Sequence, residues 1–323
     1  MTSLINTGGV GVSGISIHDL VLQDSPIVDQ AIDMFAGDGE ICSVWIQQGA
    51  VIDTGIRVNG GPWRIHDNRI FTDDTGILLL SSTNRCVVAD NIIGTGLKDD
   101  GILIEGNDNI ITGNFVDGGT IRITGDDNLI VGNIFRSLNS ADNGFIIDGD
   151  RNLITGNKIV DDFGTSPAVG LQILSGATDN IIGPNDLVQA VLPITDAGTG
   201  TIYKNTRELT WTVAGTLSTG TGVDRRRLPE DVFIIDAAIA VDTAPTGATL
   251  IVDIHLNGTT IFTTQGNRPT IAIAGNDSGL AIPDVVAGAA AQYLTIDIDQ
   301  IGSTVAGADL VGIVRYVNVG VTG

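Results

Sequence analysis

The chain has 323 residues and a formal net charge of -22, from 38 Asp plus Glu against 16 Lys plus Arg. With no basic stripe to release counterions it is not a general nucleic-acid binder, and its acidity disfavours anionic membrane surfaces. No stretch approaches the ~18 apolar residues of a membrane span, so no membrane insertion is expected, and Met1–Gly9 does not read as a secretory signal.

The charged residues are unevenly chosen: 34 Asp against 4 Glu, and 13 Arg against 3 Lys. Glu, Lys and Met, which favour helices, are scarce, while Asp, Asn and Gly favour turns and Ile, Val and Thr favour strands. The fold class expected is all-β.

In chain order, Gly14-Ile15-Ser16-Ile17 already has the strand pattern that dominates the first half. One motif recurs as Ile65-His66-Asp67-Asn68, Val88-Ala89-Asp90-Asn91, Ile111-Thr112-Gly113-Asn114, Ile130-Val131-Gly132-Asn133, Ile154-Thr155-Gly156-Asn157 and Ile182-Gly183-Pro184-Asn185. A second is interleaved with it, from Gly55-Ile56-Arg57-Val58 to Gly170-Leu171-Gln172-Ile173, at a step of about 23 residues. Short Ile/Val stretches with no helical period describe coils of a parallel β-helix, whereas a leucine-rich repeat would need spaced Leu and a helical segment.

Coils stacked at ~4.8 Å place equivalent side chains in ladders. Ile56, Ile77, Ile102, Ile121, Phe145 and Leu171 form an interior apolar one. Asn68, Asn91, Asn114, Asn133, Asn157 and Asn185 form a polar one at a turn, where Asn tolerates left-handed backbone and stacked amides bond from coil to coil. The β-helix is expected over 1–188, and 189–208 reads as a transition segment in which the register is lost.

From 209 to 323 the strands lengthen, with Asn257-Gly258 as a strong hairpin signal. Strands are expected at Trp211–Leu217, Val232–Val241, Thr249–Thr264, Thr270–Ala274, Tyr293–Ile301 and Leu310–Val319, which suggests an antiparallel β-sandwich of jelly-roll kind.

The stretches Gly222-Val223-Asp224-Arg225-Arg226-Arg227-Leu228-Pro229, Ala244-Pro245-Thr246-Gly247-Ala248, Asn257-Gly258-Thr259-Thr260-Ile261-Phe262, Asn267-Arg268-Pro269-Thr270 and Asp297-Ile298-Asp299-Gln300-Ile301-Gly302-Ser303 resemble a C-terminal module of phage tail proteins. With a right-handed β-helix before it, the whole resembles the tailspikes and tail fibres of tailed viruses. The resemblance implies a homotrimer on an extracellular virion, contacts with other virion proteins, and recognition of host-surface polysaccharide. No separate N-terminal attachment domain is legible. A polysaccharide depolymerase, hydrolase or lyase, is the alternative, and a capsid decoration or turret protein a third.

Candidate site residues follow from the ladders. Asp53, Asp74, Asp99 and Asp142 precede the strand-opening residues, and Asp73 and Asp100 adjoin them. Asp74 and Asp99 on stacked coils would lie ~5 Å apart, the carboxylate separation of a retaining glycosidase. Asp74, Asp99 and Asp100 are therefore the catalytic candidates, although Asp-Thr-Gly, Asp-Asp-Gly and Asp-Asn-Gly are also ordinary turn sequences.

Trp63 and Trp45 are the carbohydrate-stacking candidates, Trp63 because its column looks turn-facing. Arg57 and Arg122 occupy equivalent outward sites and are expected to pair with Asp. Asp126-Asp127, Asp148-Gly149-Asp150 and Asp161-Asp162 could offer oxygen to Ca2+, but none matches a calcium loop, and solvated turns account for them. No other cofactor is suggested. His18, His66 and His255 lack metal spacing, and His66 reads as an ordinary coil residue. Cys42 and Cys86 read as buried thiols too far apart to bridge.

Overall fold

A computed structural model describes residues 3–6, 13–22, 28–35, 37–47, 52–95, 100–138, 142–162, 164 and 166–320. It is all-β, with one short 3₁₀ turn at Gln265–Asn267. No helix is long and apolar enough to cross a membrane among the described residues. The chain divides into two compact units, 1–204 and 205–323.

The first unit is a parallel β-solenoid in which every third strand joins the same sheet. Sheet A runs from Ser3–Asn6 to Leu192–Asp196, sheet B from Ser13–His18 to Ile202–Tyr203, and sheet C from Val21–Leu22 to Lys158–Val160. The interior ladder forms as expected: Ile56, Ile77, Ile102, Ile121, Phe145 and Leu171 are register partners in sequence, all 0–1% exposed. Sheet B contributes Ile41, Ile65, Val88, Ile111, Ile130, Ile154 and Ile182, and sheet C Ile46, Ile70, Ile93, Val116, Phe135 and Ile159.

The strand-opening glycines have a packing reason. A Cβ on Gly76, Gly101 or Gly144 would come within 2.3–2.4 Å of Ile93, Val116 or Ile159. In these three coils the strand of sheet A packs against the sheet C corner in the space that a side chain would fill.

The Asn ladder is a closed hydrogen-bond system. Asn91 Oδ1 accepts from the backbone N–H (3.1 Å) and the side-chain amide (2.9 Å) of Asn68, while Asn91 Nδ2 donates to Ile65 O and to Asn114 Oδ1 at 2.9 Å. The same pattern repeats to Asn185, and every member is buried. One expectation is corrected here. The left-handed residue is the one before five of the six Asn, namely Asp67, Asp90, Gly113, Gly132 and Gly156, with φ between 54° and 68°; Asn185 follows Pro184. Asn takes the inward position because its short side chain carries both an acceptor and donors, which bond along the stack.

A second correction concerns 189–208. Leu192–Asp196 pairs in parallel with Val169–Ile173, and Ile202–Tyr203 with Ile181–Ile182, so the stretch as far as Lys204 is a further coil, while Arg207 and Glu208 already pair within the second unit. The stack continues past Pro184, whose carbonyl accepts from Gly156 N–H at 2.6 Å.

The second unit is a pair of antiparallel sheets. Arg207–Thr216, Ala308–Asn318, Val232–Thr243 and Ala287–Gly288 form one, and Gly220–Arg227, Tyr293–Gln300, Leu250–Leu256 and Thr259–Thr260 the other. Both sheets contribute to the core between them, with Trp211, Ile239 and Val314 from one and Val252, Ile254 and Ile296 from the other. The Asn257-Gly258 hairpin forms with φ of 50° and 85°. Gly220–Arg227 is a strand that the apolar pattern did not reveal, since it carries one large apolar residue, Val223, and ends in three consecutive Arg, of which Arg225 and Arg227 are exposed and Arg226 half-buried.

Candidate functional site

Because side chains alternate across a strand, each solenoid sheet shows two outward columns. On sheet B one column runs Ser16, Glu40, Arg64, Val87, Ile110, Leu129, Leu153, Ile181 and Ile202. Its neighbour runs His18, Cys42, His66, Ala89, Thr112, Val131 and Thr155. The face therefore changes character along its length. Three polar coils carry His, Cys, Glu and Arg, and the following coils carry aliphatic side chains with no carboxylate in either column.

In the polar part, donor atoms of Glu40, Cys42 and His66 lie within 4.8 Å of one another. The His66 ring bonds Glu40 Oε1 through Nε2 and Asp67 Oδ2 through Nδ1, each at 2.7 Å. Asp67 and then Glu40 hold the His66 pKa above its ordinary value, and His66 in turn holds that of Glu40 below the usual carboxylate value. Burial, reinforced by Glu40, raises the Cys42 thiol. His18, one coil beyond Cys42, is 58% exposed and bonds Asp19 at 2.9 Å.

This cluster sets one of the three histidines, His66, beside Glu40 and Cys42, a juxtaposition that spacing along the chain did not reveal. His18, Cys42 and His66 are each 24 positions apart, which is one coil. Local ligand motifs count residues along a strand or helix, whereas in a solenoid the relevant distance is the repeat itself. His255 has a different setting, between the buried Asp253 (3.2 Å) and Asp297 (3.0 Å) inside the second unit.

The sequence-derived site residues fare unevenly. Asp74 is half-buried beside Thr75, whose register partner is Thr54. Asp99 lies outside the described residues. Asp100 is held by Arg122, whose Nε donates to both carboxylate oxygens at 3.1 Å, so it is engaged in an ion pair. Arg57 donates from Nε to Asp33 Oδ1 and from Nη2 to Asp33 Oδ2, each at 2.8 Å, so both arginines pair with Asp, although Asp33 is buried where a surface partner was expected.

Trp63 cannot stack on a sugar, since it is 1% exposed. Its register partner is Gly39, and a Cβ there would meet the Trp63 ring at 2.7 Å, so the missing side chain makes room for the indole inside the corner. Its column is interior: Trp63 N–H donates to Cys86 Sγ at 3.0 Å, and Cys86 N–H to Asn109 Oδ1 at 2.8 Å. Cys42 and Cys86 thus belong to different ladders, both as free thiols. Cys42 is half-buried and faces outward, while burial pushes the Cys86 thiol up to about 11.

Trp45 does face outward, 41% exposed, with Arg69 stacked on its ring at 5.9 Å. It stands in a sheet C column of Val21, Trp45, Arg69, Ile92, Phe115, Ile134 and Lys158. The pairs Asp126–Arg151, Asp127–Arg151 and Arg136–Asp162 show that acids weighed for Ca2+ have protein cations as partners.

Three solved structures match the chain at low similarity. The Dettilon tailspike protein is 13% identical, with a TM-score of 0.39 over 88% of this chain and 68% of that one. A mutant tailspike of E. coli bacteriophage HK620 in complex with a pentasaccharide is 8% identical, at 0.32 over 95% and 75%. The enzymatically active domain of tailspike protein 2 of bacteriophage CBA120 is 10% identical, at 0.27 over 92% and 74%. No curated protein matches the chain. Residues 6–221, well over half of the chain, match the family described as periplasmic copper-binding protein (NosD), and the protein belongs to this β-helix family.

Proposed function

We propose that the protein is a virion adhesin of tailspike or tail-fibre type, a homotrimer that recognises polysaccharide on a host surface. The observation that carries this reading is the aliphatic column Val87, Ile110, Leu129, Leu153, Ile181 and Ile202 on the outer face of sheet B. Six rungs at ~4.8 Å give a strip about 24 Å long. Ile110 is 38% and Ile202 47% exposed. On a chain of net charge -22, a strip without carboxylates is where a second copy meets least repulsion and buries most apolar area.

Along the same edge the left-handed turn residue changes from Asp67 and Asp90 to Gly113, Gly132 and Gly156, which removes charge beside the strip. The resemblance of the second unit to phage tail modules supports the virion setting. Trp45, Arg69 and Phe115 on sheet C supply ring and guanidinium faces suited to sugar stacking.

Sedimentation and native mass test the assembly. A trimer that grows more stable with added salt is expected, and Leu129→Asp with Leu153→Asp should give a folded monomer. A wild-type chain that stays monomeric at high protein concentration and high salt overturns the reading. Incubation with host polysaccharide, scored for binding and for new reducing ends or unsaturated products, separates adhesion from depolymerisation. Its location on a particle by cryo-microscopy separates a tail protein from a capsid decoration.

A further inference from the structure

The rarest chemistry in the chain converges on one patch. Of four Glu, two Cys and three His in 323 residues, Glu40, Cys42, His66 and His18 share three successive coils of sheet B. We propose that Glu40, Cys42 and His66 bind one borderline-soft transition-metal cation, of the Cu+ or Zn2+ kind, through Oε, Sγ and Nε2.

The geometry carries this in three ways. The three donor atoms already lie within 4.8 Å of one another. Tetrahedral bonds of ~2.0–2.3 Å bring ligand atoms to within ~3–4 Å, so closure needs only rotation of the Glu40 and Cys42 side chains. Glu40 and Cys42 rise two residues apart from one strand, and His66 from the paired strand of the next coil, so hydrogen-bonded sheet fixes all three roots. Next, the 2.7 Å contact between His66 Nε2 and Glu40 Oε1 is one that a proton bridges in the metal-free protein. A cation takes that proton's place between the same two atoms. Last, Asp67 Oδ2 accepts from His66 Nδ1 at 2.7 Å. Metal-binding histidines usually donate their second ring nitrogen to a carboxylate in this manner, which sets the tautomer and ring orientation.

The donor set selects the class of ion. A thiolate beside an imidazole suits copper and zinc, whereas Mg2+ and Ca2+ take oxygen shells. The family's own description names copper, and these residues fit it. His18, the register partner of Cys42 and 58% exposed, is the next nitrogen donor along the same column. Binding displaces the Cys42 thiol proton and the His66 Nε2 proton. No redox step is involved, and the ion keeps its charge. Asp19, Asp67, His18 and Arg64 are the remaining charged or titratable groups around the patch; the first two favour a cation and Arg64 opposes it.

The inference goes beyond the adhesin reading and can fail independently of it. The full chain, reduced and stripped with chelator, is titrated anaerobically with Zn2+, with Cu+ against a chromophoric competitor, and with Co2+ as a spectroscopic probe. One ion per chain is expected, with a thiolate-to-cobalt charge-transfer band and proton release seen by calorimetry in buffers of different ionisation enthalpy. Cys42→Ser and His66→Gln should each weaken Zn2+ or Cu+ binding at least 100-fold and leave the melting curve of the metal-free protein in place. Cys86→Ser keeps the acceptor for Trp63 N–H and should retain the band. Mg2+ should not compete. No stoichiometric binding of either ion, or a band that survives Cys42→Ser, overturns the site. Trimer mass and polysaccharide binding, read on the same variants, report the adhesin reading separately.

Discussion

The two units bury most of their polar groups differently. The solenoid buries one charge pair, Asp33 with Arg57, but chiefly neutral amides in a column, where Asn68 through Asn185 satisfy one another and the turn backbone. The sandwich buries charge. Arg268 contacts Asp253 at 2.9 Å and Asp299 at 2.6 Å, His255 lies between Asp253 and Asp297, and Arg315 grips Asp236. A repeating fold meets the same unsatisfied backbone groups at every turn, so one residue type repeated at one position solves them all. A sandwich meets each problem once and solves it with a local pair. Ladder strength therefore depends on neighbours on both sides, while each ion pair stands or falls alone.

The largest expected effect comes from cutting the ladder in its middle. Asn133→Ala removes the acceptor of Asn114 N–H and Nδ2 and the donor to Ile111 O. At roughly 1–3 kcal/mol for each buried group left unmatched, a loss on the order of 4 kcal/mol is expected. The solenoid transition in thermal or urea unfolding measures it. Asn185→Ala, at the ladder's end, should cost less. Equal losses would contradict a cooperative stack.

Next is Arg268→Ala, which leaves Asp253, 3% exposed, without its guanidinium. About 3 kcal/mol is expected, confined to the sandwich transition. A parallel shift of both transitions would show that the units do not unfold separately. Gly144→Ala puts a Cβ 2.4 Å from Ile159 Cδ1 and 2.7 Å from the Gly170 carbonyl, and overpacking of this kind costs about 1–3 kcal/mol. Gly132→Ala, with nothing within 4 Å but φ at 68°, should cost less, which separates crowding from backbone strain.

The smallest effect is in acid. Arg151 lowers the pKa of Asp127 in the solenoid, and the Thr264 N–H, then Thr263 and Asn267, lower that of Asp284 in the sandwich. A folded pKa below the unfolded value stabilises at neutral pH, and the gain fades as pH falls through the folded value. Both carboxylates should titrate below ~3.9 by NMR, with little change in melting temperature because both are exposed. A value above that would remove them from the pairs described.

Much of the solenoid was legible because its side chains repeat in register with the chain. Ile56 to Leu171 and Asn68 to Asn185 could be placed on ladders by counting. What misled was inference about exposure. Trp63 shares a column with Asn109 and Asn128, and polar neighbours made that column look like surface. In fact the asparagines are interior, bonding backbone, and Trp63 fits beside them only because Gly39 has no side chain. Asp100 read as a candidate acid because the sequence does not say that Arg122, one coil on, reaches back to it.

Composition and periodicity by themselves determined that this protein is a stack of β-coils followed by longer antiparallel strands, because a period of about 23 residues leaves no other way to align Ile with Ile and Asn with Asn. They also accounted for part of the surplus of Asp, whose short acceptor side chain tolerates the left-handed turn at Asp67, Asp90, Asp108 and Asp127. Only the tertiary structure decided which columns face inward and what meets across coils. Glu40, Cys42 and His66 are up to 26 residues apart in sequence yet adjacent in space. Stacking turns the repeat length into a contact distance, and the chemistry of the outer face follows from that.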